Sequence, residues 1–233
     1  MDANRQMPAS LSLHEYLSTL SRTDVFALRW HNTKTGASGY SPVCKNKWVS
    51  GKCNMKQTPC SQCPNLDMAE LSDEYLFNHL AGRDSLCRDV VGMYALRPDE
   101  TCRFLALDFD EENWKADIRA VCTACSQNGL SCAVEISRSG NGAHVWFFFT
   151  EPVPAKLARE LGSAVLYAAM CERHAMSFSS FDRMFPNQST MPKGGYGNLI
   201  AQEGTLFSSD DYRQTFLTDC ISSKRQVFIS SPL

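Results

Sequence analysis

The chain has 233 residues, of which 43% are hydrophobic and 21% are charged. A chain of this length and composition buries one substantial core, which excludes disorder as its main state. Its 23 basic and 25 acidic residues leave a net charge of −2, so any nucleic acid partner must be held by a local patch.

The longest apolar run, 164–171, is far shorter than the roughly 18 residues that a membrane-spanning helix needs. The first residues are polar and do not resemble a signal peptide. Eleven cysteines in a chain without a secretory signal favour reduced thiols or a metal site over a disulfide framework. We therefore expect a cytoplasmic protein without a membrane partner.

Hydrophobic periodicity predicts the secondary structure in chain order. Helices are expected over 11–20, 72–80, 113–128 and from 152 to about 176, and strands over 25–30, 90–96, 103–110, 132–137, 143–149 and 226–229. The β-α-β-β-α order of the centre is most of the split β-α-β plan of ferredoxin-like domains. We predict an α+β fold in which helices cover one side of an antiparallel-rich sheet.

Composition divides the chain into four regions. An N-terminal helix and strand occupy 1–35, a Gly-, Pro-, Lys- and Cys-rich stretch occupies 36–66, the predicted core occupies 67–207, and a polar tail occupies 208–233. The second region is too long for an ordinary loop in a compact domain, so something other than a hydrophobic core should order it.

Four cysteines in that second region have the spacing C-x8-C-x6-C-x2-C. They are Cys44, Cys53, Cys60 and Cys63. Four thiolates form a closed tetrahedral zinc site, and structural Zn²⁺ would supply folding energy that this lysine-rich stretch cannot gain from burial. Four unrelated buried cysteines are the alternative. A second CxxC pair, Cys122 and Cys125, lies on a predicted helix among apolar neighbours, where core packing is the expected role.

Lysines surround the four cysteines, and one tryptophan lies among them. They are Lys45, Lys47, Lys52 and Lys56, together with Trp48. Such a group is able to contact a phosphate backbone, although a solvated charged face is the more common outcome.

The predicted strand 103–110 ends in two acidic residues, Asp108 and Asp110. Because side chains alternate along a strand, both carboxylates point to the face opposite Leu105, Leu107 and Phe109. Paired carboxylates of this kind bind Mg²⁺ or Mn²⁺, which activate a hydroxyl and stabilise leaving pyrophosphate. A pair of exposed acids at a strand end is the alternative.

The turn at 137–144 carries groups that suit phosphate binding. They are Arg138, Ser139, Gly140, Gly142 and His144. An ordinary hairpin turn with a hydrogen-bonded core histidine would explain the same residues. In the β-α-β-β order, however, this turn is expected next to Asp108 and Asp110.

A third segment, 181–188, follows the last predicted helix. Asp182 is placed to complete a three-carboxylate metal site, and Arg183 to offset phosphate charge. A helix-to-strand connection with an exposed Asp-Arg pair is equally compatible with the spacing.

Seven motifs in order resemble the archaeo-eukaryotic primase superfamily, the primase-polymerases, and most closely the primase domain of bacterial TOTE conflict systems. They are GYSP at 39–42, HLAG at 79–82, VGMY at 91–94, FLALDFD at 104–110, SRSGNGAHVWFFF at 137–149, FDRMFPNQ at 181–188 and GGYGNLIA at 194–201. The resemblance implies a palm-like sheet and template-directed nucleotidyl transfer to a 3′ or initiating hydroxyl, with release of pyrophosphate.

The resemblance also implies roles for particular residues. Asp108 and Asp110 would be the first metal-binding acids and Asp182 the third, with Ser139 and His144 contacting the incoming nucleotide. The implied partners are a single-stranded DNA or RNA template and nucleoside triphosphates. Any helicase or nuclease would be encoded separately, because the chain lacks a phosphate-binding GKT or GKS loop.

The family motif GNLIA is usually followed by a Leu-Pro-Leu-Gln run, whereas here a polar tail follows, either truncated or diverged. This difference supports a rival hypothesis, in which the chain is an inactive primase-like module that binds single-stranded nucleic acid or a partner protein. A nucleotide cyclase on a similar sheet is a second rival, and a template requirement separates it from a polymerase.

Overall fold

The computed structural model describes residues 22–137, 140–173 and 180–201, apart from the side chain of Leu80. The predicted helix over 11–20, the predicted strand over 226–229 and the polar tail over 208–233 lie outside the described residues, as do Arg138 and Ser139.

Eight strands and three α-helices make up the described fold. The strands are β1 (Ala27–His31), β2 (Ser38–Pro42), β3 (Val91–Tyr94), β4 (Thr101–Asp110), β5 (Ala133–Ile136), β6 (Gly142–Pro154), β7 (Phe181–Phe185) and β8 (Leu199–Ala201). The helices are α1 (Asp73–Ala81), α2 (Trp114–Gln127) and α3 (Ala155–Glu172), with a short 3-10 turn at Cys60–Gln62. None of these helices is long and apolar enough to cross a membrane.

The central sheet is antiparallel and has the strand order β5-β6-β4-β7. Helix α2 connects β4 to β5, and α3 connects β6 to β7. The predicted β-α-β-β-α order is therefore confirmed, and a fourth strand, β7, follows it. No strand was predicted over 181–185, but these residues pair with β4 and extend the sheet, with Phe181 and Phe185 as its apolar positions.

A second antiparallel sheet has the order β2-β1-β3-β8. Strands β2 and β8 were not predicted. The sequence of β2 contains Gly and Pro and shows no apolar alternation, and β8 is only three residues long. Backbone pairing with β1 and β3 orders these segments, and such pairing is not encoded in local hydrophobicity.

The central sheet lies between two apolar layers. Leu105, Leu107 and Phe109 of β4 pack on the helix side against residues of α2 and α3 such as Ile118 and Leu166. The alternate residues of the sheet face the second sheet instead. They are Phe104, Ala106, Trp146 and Phe185, which pack with Met93 and Ile200. Burial of each large side chain stabilises this arrangement by about 1.5–3 kcal/mol.

Candidate active site

The face of β4 that carries Phe104 and Ala106 continues into Asp108 and Asp110 at the end of the strand. Alternation along β4 therefore brings both carboxylates out on the side of the second sheet, where the apolar layer ends. Both side chains are half-buried. The prediction that the two carboxylates point the same way is confirmed by their mutual distance, since their oxygens lie within 4.8 Å of each other.

Asp182 joins these two acids through an irregularity in β7. Asp108 pairs with Arg183, but the next residue of β4, Phe109, pairs with Phe181, so that Asp182 is an extra residue on its strand. A bulge of this kind redirects a side chain. One oxygen from each of Asp108, Asp110 and Asp182 lies within 4.8 Å of the others. In the described part of the chain, no other set of three or more His, Cys, Asp or Glu residues meets that distance.

Burial is the largest cause that raises the pKa of Asp110, followed by the negative charges of Asp108 and Asp182. The charge of His144 acts in the opposite direction. Carboxylates that repel one another in this way are stabilised by a divalent cation, and oxygen ligands suit Mg²⁺ or Mn²⁺. The acid triad, Asp108, Asp110 and Asp182, therefore has the composition and spacing of a divalent-metal site.

Arg183 lies next to the triad at the exposed edge of the sheet. Its Nε donates a hydrogen bond of 2.6 Å to Oδ2 of Asp182. That bond is the main reason why the pKa of Arg183 is raised, and the charges of Asp108 and Asp110 add to it. The side chain of Arg183 is 49% exposed and thus accessible to an anionic ligand.

His144 lies opposite Asp108 in the sheet and is hydrogen-bonded on both ring nitrogens. Nε2 lies 3.3 Å from Oδ1 of Asp108, and Nδ1 lies 3.4 Å from Oε2 of Glu135. Burial lowers the pKa of His144, but the hydrogen bonds and charges of Asp108 and Glu135 outweigh burial and raise the pKa to about 10. The imidazole is therefore cationic at neutral pH and directed toward the acids.

Glu135 is a site residue that sequence reasoning missed. It is 7% exposed, and its Oε2 also accepts a 3.0 Å hydrogen bond from Nε1 of Trp146. The cross-strand register aligns Glu135, His144, Asp108 and Arg183 in one row across all four strands. The one available signal was a glutamate between Val134 and Ile136 in a short apolar strand, where an unpaired charge would be costly.

The hairpin between β5 and β6 lies beside the acids, as the chain order predicted. Gly142 pairs with Asp110, and its carbonyl oxygen accepts the N–H of Ser137 at 2.9 Å. Gly140 has a φ of 74°, in the left-handed region that favours glycine. A Cβ on Gly142 would lie 2.5 Å from the Phe109 carbonyl oxygen and closer still to Oδ1 of Asp110. Only glycine fits so close to the acid.

Two further cysteine groups have different surroundings. Cys44, Cys53, Cys60 and Cys63 line one cavity next to β2, and all four are half-buried. No three of their sulfur atoms lie within 4.8 Å of one another, so the structure does not bring these cysteines together as closely as the acid triad. The N–H of Asp67 donates to Sγ of Cys44 at 3.5 Å. Cys122 and Cys125, in contrast, are 6% and 1% exposed and pack in the core between the helices and the central sheet, as expected.

Comparison with known proteins gives a family match and matches among solved structures. The family model described as "TOTE conflict system, Archaeo-Eukaryotic Primase domain" matches residues 13–216. No curated protein matches the chain. A solved structure, the polymerase domain from Mycobacterium tuberculosis Ligase D in complex with DNA, is 14% identical with a TM-score of 0.43. That match covers 81% of this chain and 66% of the solved chain.

The family match spans both sheets, all three helices and every member of the acid triad. It also includes the seven motifs on which the resemblance was based. The chain therefore belongs to the family of archaeo-eukaryotic primase domains of TOTE conflict systems.

Proposed function

We propose that the chain is a metal-dependent, template-directed nucleotidyltransferase, a DNA primase or polymerase. The observation that carries this proposal is the convergence of Asp108, Asp110 and Asp182 within 4.8 Å, beside a cationic histidine. Family membership supports the same reaction class.

In the proposed site, Asp108, Asp110 and Asp182 would hold Mg²⁺ or Mn²⁺. When bound, such ions lower the pKa of the attacking hydroxyl and stabilise charge on the phosphates. The 3′ or initiating hydroxyl attacks the α-phosphorus of a nucleoside triphosphate, a new P–O bond forms, and pyrophosphate leaves as the bond to the β-phosphate breaks.

The residues next to the triad are proposed to bind the triphosphate. His144 contributes a buried positive charge and Arg183 an exposed one. Gly140 and Gly142 allow the hairpin backbone to approach the ligand closely, and Arg138 and Ser139 of the same turn are proposed as further contacts. The partners are then a single-stranded DNA or RNA template and nucleoside triphosphates, with any helicase or nuclease as a separate chain.

The four cysteines are proposed to bind one structural Zn²⁺. Between residues 44 and 68 no side chain is buried, so a hydrophobic core does not order this module. The four cysteines nevertheless line one cavity, and the N–H of Asp67 donates to Sγ of Cys44 at 3.5 Å. We infer that the ion would replace the missing core and brace the domain next to β2, the edge strand of the second sheet.

Metal analysis of the purified chain tests the zinc proposal. We expect one zinc per chain, and loss of zinc in Cys63→Ser but not in Cys171→Ser, whose thiol is exposed on α3. Chelation should make the module cleavable by trypsin at Lys45, Lys52 and Lys56, which are exposed, while the central sheet persists. A zinc-free chain with a trypsin-resistant module would contradict the proposal.

Primer extension on a single-stranded template, with labelled ribo- or deoxyribonucleotides and Mg²⁺ or Mn²⁺, tests the catalytic proposal. Asp108→Asn should lower nucleotide incorporation by about 10²-fold or more, because it removes one ligand charge from the site. Asp99→Asn is the matched control and should retain activity, because Asp99 lies two residues before the opposite end of β4, where its carboxylate accepts hydrogen bonds from Thr101.

The outcomes distinguish the rival functions. Incorporation that needs a template excludes a cyclase, which needs none. If the unmodified chain and Asp108→Asn both bind single-stranded DNA and neither incorporates nucleotides, the chain is the inactive binding module and the catalytic proposal is wrong.

A further inference from the structure

We propose that Trp48 and the lysines around it bind an unpaired nucleic acid strand, with one base stacked on the indole and phosphates on the ammonium groups. Trp48, Lys47, Lys52 and Lys56 together form what we call the Trp48 surface. The bound strand is a template only if the proposed polymerase function holds. The binding itself does not depend on that function.

The charge of this surface differs in sign from that of the whole chain. Residues 44–66 contain four lysines and no Asp or Glu, whereas the chain has a net charge of −2. A zinc ion with four thiolates would contribute −2, so the stretch would still carry 4 − 2 = +2. The module is therefore a local cationic patch of the kind that a polyanion recognises.

Three of the four lysines, Lys47, Lys52 and Lys56, form no salt bridge with a described residue. Lys45 is paired with Asp67 at 3.6 Å. The hydrogen bonds of Lys47 and Lys52 go to neutral oxygens, Oγ of Ser41 at 2.5 Å and Oδ1 of Asn46 at 3.1 Å. These contacts orient the ammonium groups and leave their charge available to an anion.

The indole of Trp48 is 76% exposed, the highest value among the large apolar side chains of the described residues. Three of the seven other large apolar side chains exposed there, Val49, Met55 and Leu66, belong to the same module. Trp48 has a φ of 66°, a left-handed conformation that costs a bulky residue of order 1–3 kcal/mol. Burial of the ring does not offset that cost, and such strain is typical of positions that hold a ligand group.

An aromatic face beside unpaired positive charges identifies the occupant as a single strand. The ammonium of Lys47 lies over one face of the indole, 5.8 Å from the ring centre. An unstacked base would lie on the opposite face of the ring, with the lysines available to its phosphates. A duplex presents its phosphates but keeps its bases stacked on one another. Stacking on Trp48 therefore selects for unpaired nucleic acid.

The module is also connected to the candidate active site through the chain. Its Ser61 lies against Gly194, in the segment that joins β7 to β8. Strand β7 carries Asp182 and Arg183. Nucleic acid held on the Trp48 surface would thus be bound by a module that contacts the segment directly after β7.

Tryptophan fluorescence gives a direct test in the full-length chain. Trp114 and Trp146 are 6% and 4% exposed, so in a Trp30→Phe background Trp48 is the one exposed indole of the described residues. A thymidine homopolymer, added without nucleotides or divalent metal, should quench that indole. Trp48→Ala should weaken binding by about tenfold, the typical effect of losing one stacked base.

The lysines are tested by the salt dependence of the same binding. Lys52→Gln and Lys56→Gln should each reduce the slope of log K against log salt by about 0.7. Tyr167→Ala and Lys156→Gln are matched controls, since both residues are exposed on α3, across the central sheet from the second sheet. Both controls should bind as the unmodified chain does.

Three results would overturn the proposal. The first is unchanged binding of single-stranded DNA by Trp48→Ala and by both lysine variants. In that case the Trp48 surface does not bind nucleic acid, and an acidic protein would be the alternative partner. The second is equal quenching by duplex DNA or by base-free polyphosphate. The third is an absence of binding at low salt. Because Asp108→Asn should bind normally in this assay, failure of the catalytic proposal is distinguishable from failure of this one.

Discussion

Glu135 contributes to the candidate site through His144, which lies between it and Asp108. It is buried in β5, bonds to His144 and Trp146, and lies in the same cross-strand row as Asp108. A buried carboxylate with two such partners orients the imidazole and keeps it cationic. We regard Glu135 as a positioning residue for His144.

Two substitutions of Glu135 separate charge from shape. Glu135→Gln keeps an oxygen for the Trp146 N–H, so the free energy of unfolding should change little, whereas the apparent KM for nucleoside triphosphate should rise as the histidine loses its counter-charge. Glu135→Ala should also lower the free energy of unfolding by about 1–3 kcal/mol, because the buried N–H loses its acceptor. Urea unfolding and steady-state incorporation measure the two effects. Equal loss of stability in both variants would contradict the positioning role.

His79 provides a pH-dependent contribution to stability. It is 3% exposed on α1, and its Nδ1 accepts the N–H of Val91 at 3.4 Å. Burial lowers its pKa below the ordinary 6.5, although Asp89 and Glu135 act in the opposite direction. In the folded state the ring is therefore neutral at a pH where the unfolded chain takes up a proton.

The sign of the pH effect follows from that difference. As pH falls below about 6.5, proton uptake by the unfolded state lowers the free energy of unfolding. His79→Asn retains an acceptor for Val91 and removes the titration, so its stability should fall less steeply between about pH 7 and about pH 5. Urea unfolding at several pH values measures the slopes, and parallel slopes would show that His79 titrates alike in both states.

At the scale of elements, one bulge and one glycine form the site. The extra residue in β7 places Asp182 beside Asp108, and Gly142 at the start of β6 lets Asp110 lie against the hairpin backbone. Regular pairing of β7 would direct Asp182 elsewhere, and a side chain at position 142 would fill the space next to Asp110.

Gly142→Ala tests the second of these features. The added methyl group would clash with Oδ1 of Asp110 and with the Phe109 carbonyl, so the acid must move. We expect weaker Mn²⁺ binding, measured by calorimetry, and a loss of incorporation of about 10-fold or more.

Gly162→Ala in α3 is the matched control. Its methyl group would lie 3.2 Å from Cδ2 of Leu105, a flexible side chain far from the acids in the core, so metal binding should be unchanged. Normal Mn²⁺ affinity in Gly142→Ala would show that the hairpin does not position Asp110.

At the scale of the whole molecule, one apolar layer joins the two sheets. Phe104 is fully buried in this layer and packs at a tilt against Trp146, with ring centres 5.3 Å apart and an interplanar angle of 58°. Met93 and Ile200 contribute from the second sheet. Since the layer belongs to both sheets, we expect them to unfold together.

Phe104→Ala should lower the free energy of unfolding by about 3–5 kcal/mol, and the milder Phe104→Leu by about 1 kcal/mol. Phe77→Ala, which removes a ring that is 56% exposed on α1, should have little effect. Circular dichroism and Trp146 fluorescence during urea unfolding measure these changes. Two separate transitions would show that the sheets are independent.

Local patterns in the chain were sufficient to predict the β-α-β-β-α order of the central sheet and the positions of Asp108, Asp110 and the hairpin beside them. Alternation in β4 predicted that Asp108 and Asp110 share a face, and the order of elements predicted that the hairpin lies beside them. These features depend on near neighbours and on general rules of chain connection, so they can be read without knowing which distant segments meet.

The rest depended on contacts between segments far apart in the chain. Strands β2 and β8 exist because β1 and β3 supply their hydrogen-bond partners. Asp182 reaches the acids through a bulge whose register only the pairing with β4 defines, and Glu135 matters because His144 and Trp146 lie opposite it. Pairing and burial are properties of the assembled sheet, so residue types and spacing alone cannot specify them.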